Sequence, residues 1–255
     1  MKLYARQQGQ GEPLISLHGL FGSQENLGMI NRSLAQSFCV HGLDVRNHGR
    51  SPHADVMNYD LMAADILEYM DDQKLEQVHL LGHSMGGKIA MTLALMAPER
   101  IKSLVVIDIA PVTYHQRRHD AILNGLSSID LTSLSRRGDA DLHMQSFETE
   151  KDVRQFLLKN LYKNDQGRYA WRVNLHSIIH HYDDIMAGQY SEMKYTGKTL
   201  FLKGGDSDYI QPEHREQVLP LFPNASVRVI AGAGHWVHAQ KPELVIRTVM
   251  RFMER

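Results

Sequence analysis

Short apolar runs alternate with longer segments of helical periodicity over the first part of the chain. The four runs begin at Leu14, Cys39, Val78 and Ser103. Helical patterns separate them over 25–37, 59–73 and 85–97. The run from Ser103 is rich in β-branched side chains, as expected of a strand covered on both faces. Because strands that alternate with helices are typical of βαβ units, the pattern predicts an α/β protein with a mostly parallel central sheet and helices on both faces.

The pattern of apolar and polar residues changes after Pro111. Strand-like runs disappear over 112–196, where helical patterns rich in Arg, His and Asp occur over 120–126, 152–161 and 171–186. Apolar runs resume at Thr199–Leu202 and Ser226–Ile230, and an amphipathic helix is predicted over 242–253. Long segments without secondary structure are uncommon inside a domain. We therefore expect a helical cap, or lid, over 112–196, inserted before the last two strands of a core formed by 1–111 and 197–255.

Net charge, hydropathy and cysteine content limit the classes of protein to which the chain can belong. The chain has 255 residues and a formal net charge of −1, so no overall field attracts it to nucleic acid or to an anionic membrane. Hydrophobic residues make up 43% and the mean hydropathy is −0.34, values typical of globular proteins. Cys39 stands alone, which excludes an internal disulfide. We expect neither an apolar leader nor a membrane span, hence a cytoplasmic location, and the sequence does not predict the oligomeric state.

The segment Gly82-His83-Ser84-Met85-Gly86 follows a predicted strand and precedes a predicted helix. This is the context of a nucleophile elbow, a sharp turn that exposes a serine hydroxyl in a strained backbone conformation. The turn leaves room only for very small residues two positions before and after the serine. The pattern therefore predicts Ser84 as a nucleophile, although an ordinary glycine-rich turn would look the same without further partners.

A serine hydroxyl is a weak nucleophile and needs a general base. His235 lies in Gly232-Ala233-Gly234-His235-Trp236, between the last predicted strand and the last predicted helix, which is where this arrangement places its histidine. His238 is interpreted as scaffold. An oxyanion hole needs two main-chain N–H groups; we expect them from Met85, after the nucleophile, and from Leu20, in the turn after the first strand.

Two aspartates compete for the role of the acid that orients His235. Asp108 ends the strand that starts at Ser103, and Asp208 lies in the turn after Thr199–Leu202. Both positions are expected at the same edge of the sheet, so either carboxylate is compatible with the spacing. The residues by themselves leave both candidates open.

Five segments, taken in order, resemble the YbfF-type bacterial esterases. They are His18–Ser23, Asp44–Pro52, Gly82–Gly87, Ile107–Val112 and Ala231–His238. The resemblance runs nearly end to end and is weakest over 129–149. It implies an α/β-hydrolase fold and a Ser-His-Asp triad, and it favours Asp108, since that family carries its acid in the Ile-Asp-Ile-Ala-Pro segment. The aspartate at 208 departs from the family pattern.

These features lead to the hypothesis of a carboxylic ester hydrolase that works through an acyl-enzyme on a small-molecule ester or thioester. Phe21 and Trp236 are expected to line the acyl pocket, and no cofactor or metal is expected. One alternative is an acyl-CoA thioesterase with the same triad. A non-catalytic ligand-binding protein is a further alternative, but it would normally show a damaged triad. Epoxide hydrolases and haloalkane dehalogenases attack with an aspartate at the elbow, which Ser84 argues against.

Overall fold

The computed structural model describes residues 1–254 of the chain. Seven strands form the central sheet in the order β1-β3-β2-β4-β5-β8-β9. Their bounds are β1 Ala5–Gln8, β2 Glu12–Leu17, β3 Phe38–Leu43, β4 Val78–His83, β5 Ile101–Ile107, β8 Lys198–Gly204 and β9 Ala225–Ile230. Neighbouring strands are parallel except for β1, which pairs antiparallel with β3. This is the predicted mostly parallel sheet, with an antiparallel edge strand that the apolar pattern did not indicate because β1 is polar and short.

Helices cover both faces of the sheet. In the core they are α1 Gly28–Leu34, α2 Tyr59–Asp72, α3 Met85–Met96, α9 Arg215–Leu221, α10 Val237–Gln240 and α11 Pro242–Met253, with 3-10 turns at Gln24–Leu27, Pro98–Arg100 and Pro212–His214. Helix α1 packs against α11, and α2 packs against α3. Within residues 1–254 no helix is both long and apolar enough to cross a membrane.

Side chains on the two faces of the sheet pack into two separate hydrophobic cores. In β5, Leu104 and Val106 join the core that contains α2 and α3, whereas Val105 and Ile107 join the core that contains α1 and α11. All four side chains are fully buried. Since successive side chains of a strand point to opposite faces, a strand covered on both sides must be apolar at every position. This is why β5 contains a continuous apolar run, Leu104–Ile107, in the sequence.

The regular secondary structure between β5 and β8 is mainly helical, as predicted, but it also includes a small hairpin. Its helices are α4 Asp120–Ser127, α5 Arg137–Met144, α6 Lys151–Leu158, α7 Leu175–His180 and α8 Tyr182–Met186. Strands β6 Leu161–Lys163 and β7 Tyr169–Trp171 pair antiparallel. Gly167 adopts a φ of +74° in the connecting turn. Strands of three residues are too short to show a period of two, which explains why the sequence pattern predicted helices alone.

The carboxyl ends of the parallel strands meet at one edge of the sheet. β2 ends at Leu17, β4 at His83, β5 at Ile107 and β8 at Gly204. In open α/β sheets, ligands bind in the crevice beyond this edge. The residues that follow these strands therefore converge on one region, and they are the ones on which the sequence analysis placed its candidate site.

Candidate active site

Ser84 occupies the sharp turn between β4 and α3. Its backbone has φ 53° and ψ −120°, a region that non-glycine residues rarely adopt. The Ser84 N–H donates to the Ile107 carbonyl oxygen at 3.0 Å, and the Ser84 carbonyl accepts from the Lys88 N–H at 3.1 Å. The strained conformation is thus held from both sides, and Ser84 stays half-buried at the strand edge.

The glycines around Ser84 are required by close backbone approach. A Cβ on Gly82 would lie 2.1 Å from the carbonyl oxygen of Gly86, and a Cβ on Gly86 would lie 2.4 Å from that of Leu17. A Cβ on Gly87 would lie 2.7 Å from a methyl carbon of Ile109. The turn therefore fits against β2 and β5 only because these three positions lack side chains.

Ser84, His235 and Asp108 are joined by two hydrogen bonds in series. The Ser84 hydroxyl donates to His235 Nε2 at 2.9 Å, and His235 Nδ1–H donates to Asp108 Oδ2 at 2.9 Å. The carboxylate fixes this tautomer, because Asp108 can only accept when ionised. Asp108 is fully buried, whereas the His235 side chain is 24% exposed. The arrangement has the geometry of a nucleophile, a base and an orienting acid.

Asp108 is surrounded by donors, whereas the Asp208 side chain makes no hydrogen bond to this network among residues 1–254. Asp108 Oδ1 accepts from the Gly204 N–H at 2.8 Å, and its Oδ2 accepts from the Ser207 hydroxyl as well as from His235. The side chain of Asp208 is exposed, and among residues 1–254 it makes no ion pair with His235. The loop after β8 therefore contributes the Ser207 hydroxyl to the Asp108 carboxylate. A lone serine beside an aspartate matches no sequence motif, so the contact of Ser207 with Asp108 was not predicted.

The turn after β2 is held by side chains that the sequence analysis did not assign to the site. The N–H of Phe21 donates to His48 Nε2 at 3.2 Å, and Asn160 Nδ2 donates to the Phe21 carbonyl at 2.7 Å. Phe21 itself has a φ of 60°. Within the described chain, the main-chain N–H groups of Leu20 and Met85 donate to no other protein group. Both amides predicted for an oxyanion hole therefore have no hydrogen-bond partner within residues 1–254.

Several histidines near the site are buried and neutral. Burial lowers the pKa of His18 to about 4 and that of His48 to about 3. Burial, and next the charge of His235, lowers the pKa of His119 and that of His238 to about 4. These imidazoles do not take up a proton near neutral pH. The neighbouring His119 and His238 therefore add no positive charge beside His235 near neutral pH.

Aromatic side chains form the walls beside His235. The Tyr209 ring stacks on the His235 ring, with 3.9 Å between centroids and 23° between planes. Trp236 contacts Phe156 of α6 at 5.3 Å, and Phe21 lies edge-on to His119 at 6.0 Å. Phe21 is 3% exposed and Trp236 is partly exposed. A cleft of about 450 Å³ between the core and the inserted segment has Phe21 and Phe156 in its lining, but Ser84, His235 and Trp236 do not line it.

No metal site accompanies these groups. Among residues 1–254, no cluster of three or more His, Cys, Asp or Glu side chains is placed to hold a metal ion. The polar groups gathered at the sheet edge are instead a hydroxyl, an imidazole, a carboxylate and two free amides.

The fold and this set of groups define a serine hydrolase of the esterase type. The chain belongs to the α/β-hydrolase family, whose profile, described as "alpha/beta hydrolase fold", matches residues 12–128. It is 40% identical to "Esterase YbfF" of Escherichia coli (strain K12) over 249 residues, which cover 98% of this chain and 96% of that protein. The YbfF-type resemblance expected from the motifs is therefore confirmed.

Two further relatives extend the comparison. The "sn-1-specific diacylglycerol lipase ABHD11" of Danio rerio is 39% identical, and the match covers 97% of this chain and 80% of that protein. A solved structure titled "Marine microorganism esterase" superposes with a TM-score of 0.96 at 40% identity, covering 98% of this chain and 99% of that one. The same fold and comparable length thus occur in proteins that are named esterases and lipases.

Proposed function

We propose that the chain hydrolyses carboxylic esters with Ser84 as nucleophile, His235 as general base and acid, and Asp108 as the acid that orients His235. The observation that carries the proposal is the pair of 2.9 Å hydrogen bonds from Ser84 to His235 and from His235 to Asp108. The free N–H groups of Leu20 and Met85 supply the oxyanion hole in this proposal. The names of the relatives agree with ester hydrolysis but do not assign these roles.

The reaction proceeds in two halves. In the first, His235 Nε2 accepts the Ser84 proton as the hydroxyl oxygen attacks the ester carbonyl, and the Leu20 and Met85 amides bind the tetrahedral oxyanion. The resulting imidazolium, stabilised by Asp108, protonates the departing alcohol and leaves an acyl-Ser84 ester. In the second half, water gives its proton to His235 and attacks the acyl carbonyl. Collapse of that intermediate releases the carboxylic acid and returns the proton to Ser84.

The proposal also divides the chain into a catalytic core, 1–111 and 197–255, and a cap, 112–196, that selects the substrate. Contacts from the cap support this division: Asn160 binds the carbonyl of Phe21, and Phe156 packs on Trp236. In this scheme Phe21 and Trp236 line the acyl pocket between the two parts. The substrate is a small-molecule ester, and a cytoplasmic location remains a prediction from the sequence.

The test combines turnover with labelling of the nucleophile. Wild type and Ser84→Ala are assayed against p-nitrophenyl esters of increasing acyl length, and a fluorophosphonate probe is applied to both. We expect a pre-steady-state burst and probe labelling in wild type only, since both need the activated hydroxyl. Esterase activity that survives in Ser84→Ala, or a wild type that the probe leaves unlabelled, would reject the proposal and favour a ligand-binding role.

Acyl-CoA thioesters belong in the same substrate panel. The attack on a thioester carbonyl uses the same hydroxyl, imidazole and amides, and only the leaving group differs. A kcat/KM for acyl-CoA well above that for every oxygen ester would reassign the chain to the thioesterase alternative. Equal loss of both activities in Ser84→Ala would show that one site performs both.

A further inference from the structure

His83, the residue directly before Ser84, touches the loop that carries His235. It ends β4, and only 5% of it is exposed. Its Nε2 lies 3.0 Å from the main-chain carbonyl oxygen of His235. Because a carbonyl oxygen only accepts, Nε2 carries the proton and donates it. Within residues 1–254 no main-chain N–H donates to this carbonyl, so the His83 imidazole is its donor.

The His83 ring also fills the space between the other parts of the site. It lies 4.9 Å from the His235 ring and 4.2 Å from the His238 ring, measured between centroids. A Cβ placed on Gly19, next to Leu20, would come within 3.0 Å of His83 Nδ1. One side chain thus contacts the turn that presents the Leu20 amide and the loop that presents the base, while its backbone continues into the nucleophile.

We propose that His83 is a positioning residue for the reaction, which sets the distance between Ser84 and His235 by binding the His235 main chain. The inference rests on the proposed function. The hydrogen bond from His83, the residue adjacent to the nucleophile, couples two segments that are 152 residues apart in sequence. Reaction rates respond steeply to such placement, and a misplacement of about 1 Å costs about a hundredfold.

The charge state of His83 agrees with this role. Burial, and next the proximity of the His238 and His235 imidazoles, holds the pKa of His83 well below its usual value. A neutral imidazole keeps its Nε2–H donor and adds no positive charge beside His235. This matters because His235 becomes an imidazolium during the reaction, and a second cation within 5 Å would oppose that step.

The test compares two substitutions at His83 with one at His79. His83→Leu removes the donor and keeps an apolar side chain, whereas His83→Gln offers an amide N–H in place of Nε2–H. We expect kcat to fall about ten- to a hundredfold in His83→Leu with KM changed less than about threefold, and His83→Gln to recover most of that loss. The rate of fluorophosphonate labelling at Ser84 should follow kcat in each variant.

His79→Leu is the matched control for a buried histidine on the same strand. His79 is 3% exposed and bonds Ser103 Oγ at 2.7 Å and Glu12 Oε2 at 2.9 Å, at the opposite end of β4. Four residues at about 3.3 Å each separate it from His83 by about 13 Å. We expect His79→Leu to lower the melting temperature and leave kcat of the folded fraction unchanged.

Three results would overturn the inference: wild-type kcat in His83→Leu, equal kcat in His83→Leu and His83→Gln at equal folded fraction, or an equal loss in His79→Leu. Failure of the proposed function looks different. In that case wild type itself shows no more esterase activity than Ser84→Ala, and the substitutions at His83 have no activity to change.

Discussion

The buried Lys88 leads to a prediction about how the free energy of unfolding changes with pH, and the structure allows its magnitude to be worked out. It lies one turn beyond Ser84 on α3 and is 1% exposed. Its Nζ donates hydrogen bonds to three main-chain carbonyls, those of Val112, Met186 and Ala187. These carbonyls belong to the two segments by which the chain leaves the core after β5 and returns to it before β8. Among residues 1–254 no carboxylate lies within 4.0 Å of this ammonium.

Burial lowers the pKa of Lys88 from its ordinary value of 10.5 to about 7. In the unfolded chain the same ammonium stays protonated up to its ordinary pKa. Between pH 7 and pH 9.5 the unfolded state therefore binds more protons at this site than the folded state, so the free energy of unfolding rises with pH. A full difference of one proton over about 2.5 pH units would give about 3.5 kcal/mol, at about 1.4 kcal/mol per unit. The gain is about 3 kcal/mol, because the folded-state group is only partly deprotonated at pH 7 and the unfolded-state group begins to deprotonate near pH 9.5. The gain is complete above the unfolded pKa and is lost as the pH falls through about 7.

The assay is thermal unfolding of wild type and Lys88→Met at several pH values across this window. Methionine keeps a long unbranched side chain without the titrating group. For a domain of this size, about 1 kcal/mol corresponds to about 2–4 °C in Tm, so wild type should gain about 6–12 °C relative to Lys88→Met between pH 7 and pH 9.5. The window stops there because burial raises the pKa of Tyr59 and Tyr114, whose contribution has the opposite sign at higher pH.

The control is Lys102→Met. The Lys102 side chain is 48% exposed and pairs with Glu12, so its removal should leave the wild-type pH dependence in this window unchanged. Parallel Tm curves for wild type and Lys88→Met would refute the reasoning, because they would mean that Lys88 has the same protonation state in both the folded and the unfolded chain.

Three further predictions concern the site. Asp108→Asn should lower kcat by about ten-thousandfold, as loss of the orienting acid does in serine hydrolases, whereas the kcat of Asp208→Asn should stay near that of wild type. If steady-state kinetics give the opposite order, the orienting role belongs to Asp208. Ser207→Ala removes one donor to Asp108 and should lower kcat about tenfold without unfolding the protein, which stopped-flow acylation rates can measure. Gly86→Ala would force a Cβ to 2.4 Å from the Leu17 carbonyl oxygen. We expect it to cost about 3 kcal/mol or more in urea unfolding, and wild-type stability would contradict the steric argument.

The sequence by itself determined the features that depend on local patterns. The continuous apolar run of β5 follows from burial on both faces, and helix α11 lies at Pro242–Met253, where the periodicity predicts it. The elbow at Ser84 is also local, because its glycines are needed by the turn and by the strands directly beside it. The order of serine before histidine, and the glycine context of His235, pointed to the base for the same reason.

The sequence leaves Asp108 and Asp208 open, whereas the tertiary structure places the Asp108 carboxylate against His235. β5 and β8 are parallel neighbours, with Ile107 opposite Leu202, so both aspartates follow strands that end at the same edge. Spacing along the chain cannot tell which carboxylate faces His235. The left-handed backbone of Asp108, with a φ of 54°, and the donors at Gly204 and Ser207 settle its direction only once the strands are side by side.

The contacts of Asn160 and Lys88, which hold parts of the site in place, are even harder to predict from the sequence pattern. Asn160 reaches the Phe21 carbonyl across 139 residues, and Lys88 meets carbonyls up to 99 residues away. A single asparagine or lysine in a helical segment carries no periodic signal. Its partners are main-chain carbonyls, which every residue has, so the amino-acid types do not reveal which carbonyl is bound. Local patterns therefore specified where the buried strands of the sheet, the elbow and the loop of His235 occur, whereas long-range packing decided which polar groups hold them in place.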